Sequence, residues 1–316
     1  MSGSSLDISK LQAGGGRITL SSHGGKAWIS EFSATYPLKL LSPRLSENDV
    51  AIIYVLTYGG GLVSGDCVHL VVNIESDVKL LLLSQGSTKV FKDRPQQRLA
   101  SVQRIIDHRS SNTQTAATVQ NMDFTISSQG ALFLLPDPVT CFRSASYHQT
   151  QTFHVSKDAT LVVLDWFTSG RKSLGEDWVL SRYYSVNEIL IAGKRIAKDI
   201  MLLDNKEIDP NSHLNSSLAE KLSPYSCYAT VILRGPLVQK TIAQITARYE
   251  AISIMKRRTP EDLLWSLSSV GSDKTNGVVV IRVAGKETEI VKEWLKNALS
   301  PLEEHVGIDV YRKAFV

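Results

Sequence analysis

Across residues 16–203 the apolar side chains recur with a period of two, and the β-branched content is high. Successive side chains of an extended chain point to opposite faces, so this period is the mark of strands. It leaves little room for helices in the first two thirds of the chain. The clearest runs are residues 50–57, 68–74, 78–84, 159–167 and 188–192. In Y-H-Q-T-Q-T-F-H-V, Tyr147, Phe153 and Val155 share one face while His148, Thr150, Thr152 and His154 share the other, which reads as a half-exposed strand.

The period then changes. Residues 205–223 are polar and rich in Asn and Ser, a loop or linker by composition. Beyond it Pro236 is placed to start a helix whose apolar stripe is Val238, Ile242, Ile245, Tyr249 and Ile252. Thr259-Pro260-Glu261-Asp262 has the cap, the proline and the first-turn acids of a second helix start, and Ile290, Val291, Trp294, Leu295 and Ala298 suggest a third. The expected organisation is a β-rich region at 1–204, a polar loop at 205–225, and a mixed α/β region at 226–316 packed on the first.

Composition excludes several classes. With 35 basic and 31 acidic side chains the net charge is only +4, and the densest basic cluster, Lys256-Arg257-Arg258, is too short for a nucleic-acid stripe. Cys67, Cys141 and Cys227 are odd in number and far apart, so they form neither a disulfide framework nor a zinc motif. The first ten residues lack a secretory signal, and no apolar run reaches membrane-spanning length, so a soluble cytoplasmic protein is expected.

Four glycines in seven positions mark T-Y-G-G-G-L-V-S-G-D-C, residues 57–67. Gly60 and Gly65 have phosphate-loop spacing, but Asp66 and Cys67 stand where that loop needs lysine and a hydroxyl. A carboxylate there repels phosphate. The dinucleotide fingerprint fails too, since Ser64 occupies its third glycine position and a strand follows. The glycines instead allow positive φ or close backbone approach between two strands. Ser64 and Ser169 lie outside any nucleophile elbow. His148 and His154 share a strand face but sit about 20 Å apart at roughly 3.3 Å per residue, too far to share an ion.

Two further turns are unusual: S-Q-G-S-T-K-V, residues 84–90, and G-R-K-S-L-G-E, residues 170–176, each straight after an apolar strand. In order, Y-G-G-G-L-V-S-G-D, S-Q-G-S-T-K-V-F-K, L-L-P-D-P-V-T-C-F and D-W-F-T-S-G-R-K-S-L-G-E resemble the urease accessory protein D family, UreD or UreH. The likeness spans about residues 20–203. Its most specific positions are Gly60, Gly61, Gly65, Thr88, Lys89, Gly170, Arg171 and Gly175. Departures are Leu132, Phe133 and Leu134, where members often carry an acid, and Asp165, where they carry glutamate.

The resemblance implies a mainly β fold, an elongated stack of coiled β-sheets with a few α-helices toward the C-terminus. It implies a non-enzymatic maturation factor that joins UreF and the GTPase UreG on apo-urease, so that nickel reaches the urease site. No cofactor would be tightly bound, and nickel would pass transiently. Asp66, Asp165 and Glu176 are the expected lining of a polar nickel path, by carry-over from matched segments; capping or turn stabilisation is the plainer role for each. Two alternatives stay open: an enzyme with a site around Lys89, Arg171 and Glu176, and a general protein-interaction module.

Overall fold

The computed structural model describes residues 11–43, 50–92, 117–205, 217–252, 261–271 and 277–315. Its strands fall into two stacked sheets. In chain order they are β1 (Gly15–His23), β2 (Lys26–Ala34), β3 (Leu38–Leu41), β4 (Val50–Thr57), β5 (Cys67–Ile74), β6 (Lys79–Leu83), β7 (Thr88–Val90), β8 (Thr118–Ile126) and β9 (Ala131–Leu134). There follow β10 (Val139–Cys141), β11 (Ser146–Val155), β12 (Thr160–Thr168), β13 (Arg182–Ile191), β14 (Lys194–Asp204), β15 (Cys227–Arg234), β16 (Leu263–Val270) and β17 (Val278–Gly285). The helices are α1 (Leu218–Leu222), α2 (Gln239–Glu250), α3 (Thr288–Ala298), α4 (Glu303–Val306) and α5 (Ile308–Lys313).

The first sheet runs β14-β13-β11-β8-β5-β1-β2, and the second runs β16-β17-β15-β12-β9-β6-β4-β3, with β10 attached to β12 and β7 to β10. From β4 to β13 the main strands alternate between the sheets, so the chain winds as a coil and its turns stack in parallel register. Ile74, Ile126 and Val155 lie side by side at one corner; Lys79, Ala131 and Thr160 do so at the next. Backbone bonds link successive corners: Ser127 donates to Ile74, and Ser156 to Ile126. Parallel pairing normally requires a long crossover, and here the opposite sheet is that crossover. Antiparallel strands finish both ends of each sheet.

Arg234, at the end of β15, closes the last corner. It is 2% exposed, and its guanidinium donates to the carbonyls of Ser156, Lys157 and Ala159 at 2.7–3.2 Å. One side chain thereby bonds three carbonyls of the turn between β11 and β12.

Strand alternation sorts the second sheet's side chains into two layers. Leu161, Val163, Ile232 and Val280 face the first sheet, whereas Val162, Leu164, Val231 and Ile281 face the helices with Ile245, Val291 and Leu295. The first expected helix forms as a 3-10 turn, Pro236–Val238, leading into α2, and the third forms as α3. On the stripe, Val238 and Ile245 are buried while Tyr249 and Ile252 are exposed.

The second expected helix is corrected: Glu261 and Asp262 lead into strand β16, which pairs antiparallel with β17. Its residues L-L-W-S-L-S-S-V alternate with the strand period, and that pattern overrides the cap signals. Thr259, Pro260 and Lys256-Arg257-Arg258 lie outside the described residues, as does most of the expected 205–225 loop, of which residues 218–222 form α1. Among the described residues no helix is long and apolar enough to cross a membrane.

Candidate functional site

Position 165 is where the inter-sheet layer stops being dry. On β12 the inward series Leu161, Val163, Phe167 is broken by Asp165, which alternation sends into the same layer. Opposite it, β11 and β13 pair with Gln149 beside Ser185 and Gln151 beside Asn187. All four polar side chains are buried. Asp165 accepts from Ser185 Oγ at 2.7 Å, Asn187 Nδ2 at 2.8 Å and Gln149 Nε2 at 3.2 Å, while Tyr147 donates to Gln149 Oε1 at 2.9 Å. Burial pushes the Asp165 carboxyl above the ordinary range, and these three donors pull part of the way back.

The network is incomplete. Gln151 Oε1, Asn187 Oδ1 and the Tyr183 hydroxyl are buried with no protein partner. Buried polar atoms are almost always bonded to protein or ordered water, so these oxygens leave the layer able to bond a further polar group. Space exists for one: a cavity of about 200 Å³ is lined by Asp165, Gln149, Gln151 and Tyr147. Ser84 and Asp137 also line it. There Asp137 Oδ2 accepts from the Gly86 N–H at 2.8 Å, and the Asp137 N–H donates to Ser84 Oγ at 2.8 Å. The L-P-D-P segment thus holds the S-Q-G-S-T turn in place.

A polar row continues sideways. Asp165 on β12 is in register with Thr230 on β15, which is in register with Arg282 on β17. Arg282 pairs with Asp199 of β14, itself in register with Asn187. Polar groups therefore run from the cavity to the edge where β14 and β17 meet.

The residues singled out from sequence fall in three places. Asp66 ends the glycine loop between β4 and β5: its Oδ2 accepts from the Val63 N–H at 2.8 Å, and its buried Oδ1 has no protein partner. Gly59, Gly60 and Gly65 take positive φ, and a Cβ on Gly61 would lie 2.5 Å from the Lys89 carbonyl, so the loop uses both properties expected of it. Thr88 and Lys89 belong to β7, where Leu62 bridges Val90. Glu176 is buried and held bidentately by Arg171 at 2.6 and 2.8 Å, and that guanidinium lies 4.0 Å above the Phe142 ring. The ion pair holds the Glu176 carboxyl below its usual range. Gly170 and Gly175 take positive φ on either side of this turn.

No hydrogen bond joins Asp66, Asp165 and Glu176, and the cations that pair with Glu176 are Arg171 and Arg143, not Lys89. Among the described residues no three His, Cys, Asp or Glu side chains gather as a metal cage. His148 packs edge-on to Tyr184 at 4.6 Å, and His154 is exposed. Sequence reading missed Gln149, Gln151, Ser185, Asn187 and Asp137. One signal was present: two glutamines on the apolar face of residues 147–155, between Tyr147 and Phe153.

Fold and site together define a coiled two-sheet β protein with a buried polar network around one carboxylate. The UreD urease accessory protein profile matches residues 12–312, and the chain belongs to that family. It is 36% identical to urease accessory protein 4 of Cryptococcus neoformans over 302 residues, covering 92% of this chain and 91% of that one. It is 32% identical to urease accessory protein D of Oryza sativa subsp. indica, covering 94% of each. To urease accessory protein UreD of Sorangium cellulosum it is 30% identical, over 96% of this chain and 84% of the relative. It is thus an accessory protein of maturation rather than a catalyst.

Proposed function

We propose that this chain scaffolds UreF and the GTPase UreG on apo-urease in the cytoplasm, and that its inter-sheet layer passes nickel toward the urease site. The observation that supports the reading is a cavity of about 200 Å³ lined by Asp165 and by Gln151, whose buried Oε1 has no protein partner. Carboxylate, amide and hydroxyl oxygens with water suit a borderline divalent cation in transit, whereas a closed cage of thiolate and imidazole would retain it. Asp165 takes the central place on this route. Asp66 offers one free oxygen at the glycine loop, and Glu176, already engaged by Arg171, serves by fixing the turn after β12.

The test is Asp165→Ala in a co-expressed accessory complex, reading urease nickel content, urease activity and complex assembly together. The expected result is an assembled complex and urease poor in nickel; full activation would remove Asp165 from any essential route. Purified alone, the chain should give no heat on titration with GTP, since Asp66 occupies the lysine position of a phosphate loop.

A further inference from the structure

Two carboxylates share one end of the inter-sheet layer with a single guanidinium. Asp165 enters the layer from the second sheet and Asp199 from the first, and they lie close enough to interact: burial is the larger cause that raises the Asp165 carboxyl, and the Asp199 charge is the other. Asn187 stands between them. Its Nδ2 donates to Asp165 at 2.8 Å, its place on β13 is in register with Asp199, and its Oδ1, on a residue 1% exposed, has no protein partner. An acceptor is therefore left unused beside both acids. The guanidinium is that of Arg282 on β17, which crosses from the second sheet to pair with Asp199 of the first.

We infer that Asp165, Asn187 and Asp199 form a site for a divalent cation, and that Arg282 is its tethered counter-ion, seated while metal is absent and displaced when metal enters. The inference rests on the reading of this layer as a nickel route, and it gives that route a lock at the edge between β14 and β17.

Charge balance drives the exchange. Two ionised carboxylates against one guanidinium leave a negative charge over, and with a divalent cation in its place both are balanced. Metal and guanidinium together would leave a positive charge over, and an unbalanced charge in a largely buried place is costly, so the two exclude each other. A monovalent ion leaves the imbalance as it was. The donors are all oxygen and fewer than a cage requires, with water to complete the shell, which suits a cation that must leave again. Arg282 also has somewhere to go: its side chain is 49% exposed against 13% for Asp199, and across the strand it is in register with Ser266, small and exposed, over which it can swing outward.

The experiment titrates Ni²⁺ alone into the full chain by calorimetry, for the parent, Arg282→Gln, Arg282→Lys and Asp199→Asn. Arg282→Gln should tighten the Kd at least about tenfold, because a charge beside the ion is gone, while Arg282→Lys, which keeps the charge, should stay within about threefold of the parent. Asp199→Asn should weaken binding at least about tenfold. A glutamine at 282 can still donate to Asp199, so that variant keeps the contact between the sheets. An unchanged nickel Kd in Arg282→Gln would overturn the lock, and an unchanged Kd in Asp199→Asn would overturn the site. Asp165→Ala in the co-expressed complex tells the two readings apart. Urease poor in nickel there, with Arg282→Gln binding as the parent does, discards the lock and keeps the route; full activation there removes the route whatever Arg282→Gln shows.

Discussion

The two faces of the second sheet are built from the same strands and yet have opposite interiors. Toward the helices β12, β15 and β17 present Val162, Leu164, Trp166, Val231 and Ile281, an apolar layer sealed by Ile245, Val291 and Leu295. Toward the first sheet the same strands present Asp165, Thr230 and Arg282 among their leucines and valines. Stability requires only the first kind of layer, because a buried polar group without a partner costs free energy. The second kind, a polar row set among apolar side chains, is retained at a cost.

Ile245→Asp strikes the apolar layer hardest. It places an unpaired carboxylate where Ile245 is 1% exposed and should cost more than about 4 kcal/mol, read as loss of soluble protein. If the protein stays folded and only complex assembly fails, the α2 stripe is an interface and the comparison breaks. Leu164→Ala, in the same layer, should cost about 3 kcal/mol by denaturant unfolding.

Asp165→Asn probes the polar layer and should change stability by no more than about 1–2 kcal/mol while urease gains little nickel. Its pH dependence is diagnostic. A carboxyl whose folded pKa is raised favours folding below its unfolded pKa and loses that contribution as pH climbs through the raised value. The difference between variant and parent should therefore shift in the variant's favour from about pH 4 upward. A gap that ignores pH would mean that Asp165 titrates normally.

Glu176→Gln should have the smallest effect, a fall in Tm of about 2 °C near neutrality. Here the sign reverses. The folded pKa is depressed by Arg171, so the stabilisation exists above the unfolded pKa and disappears as pH falls through the lower one. Parent and variant should converge in acid.

Much of this fold was legible because period two is local. Residues 50–57 are read from sequence with the bounds that β4 takes, and 68–74 miss only Cys67 of β5. What escaped was non-local. The alternation of 263–270 is local, but only pairing with β17 decides between it and the proline and acids that suggested a helix. The site was half legible: Asp165 was named, but Gln149, Ser185 and Asn187 reach it from strands 16–22 residues away, and only the coil brings them together.

Arg234 sets a timetable for synthesis. Its three carbonyl partners lie 75–78 residues earlier in the chain. At about 5–20 residues per second, a ribosome delivers the guanidinium roughly 4–15 s after the corner it closes. For that interval β12 stands as an open edge, its outer backbone groups free to meet other nascent chains. The last third of the polypeptide therefore acts on the first two thirds as a tethered chaperone, present at high effective concentration once it emerges, and a transcript truncated before codon 234 yields a product with its growing end exposed.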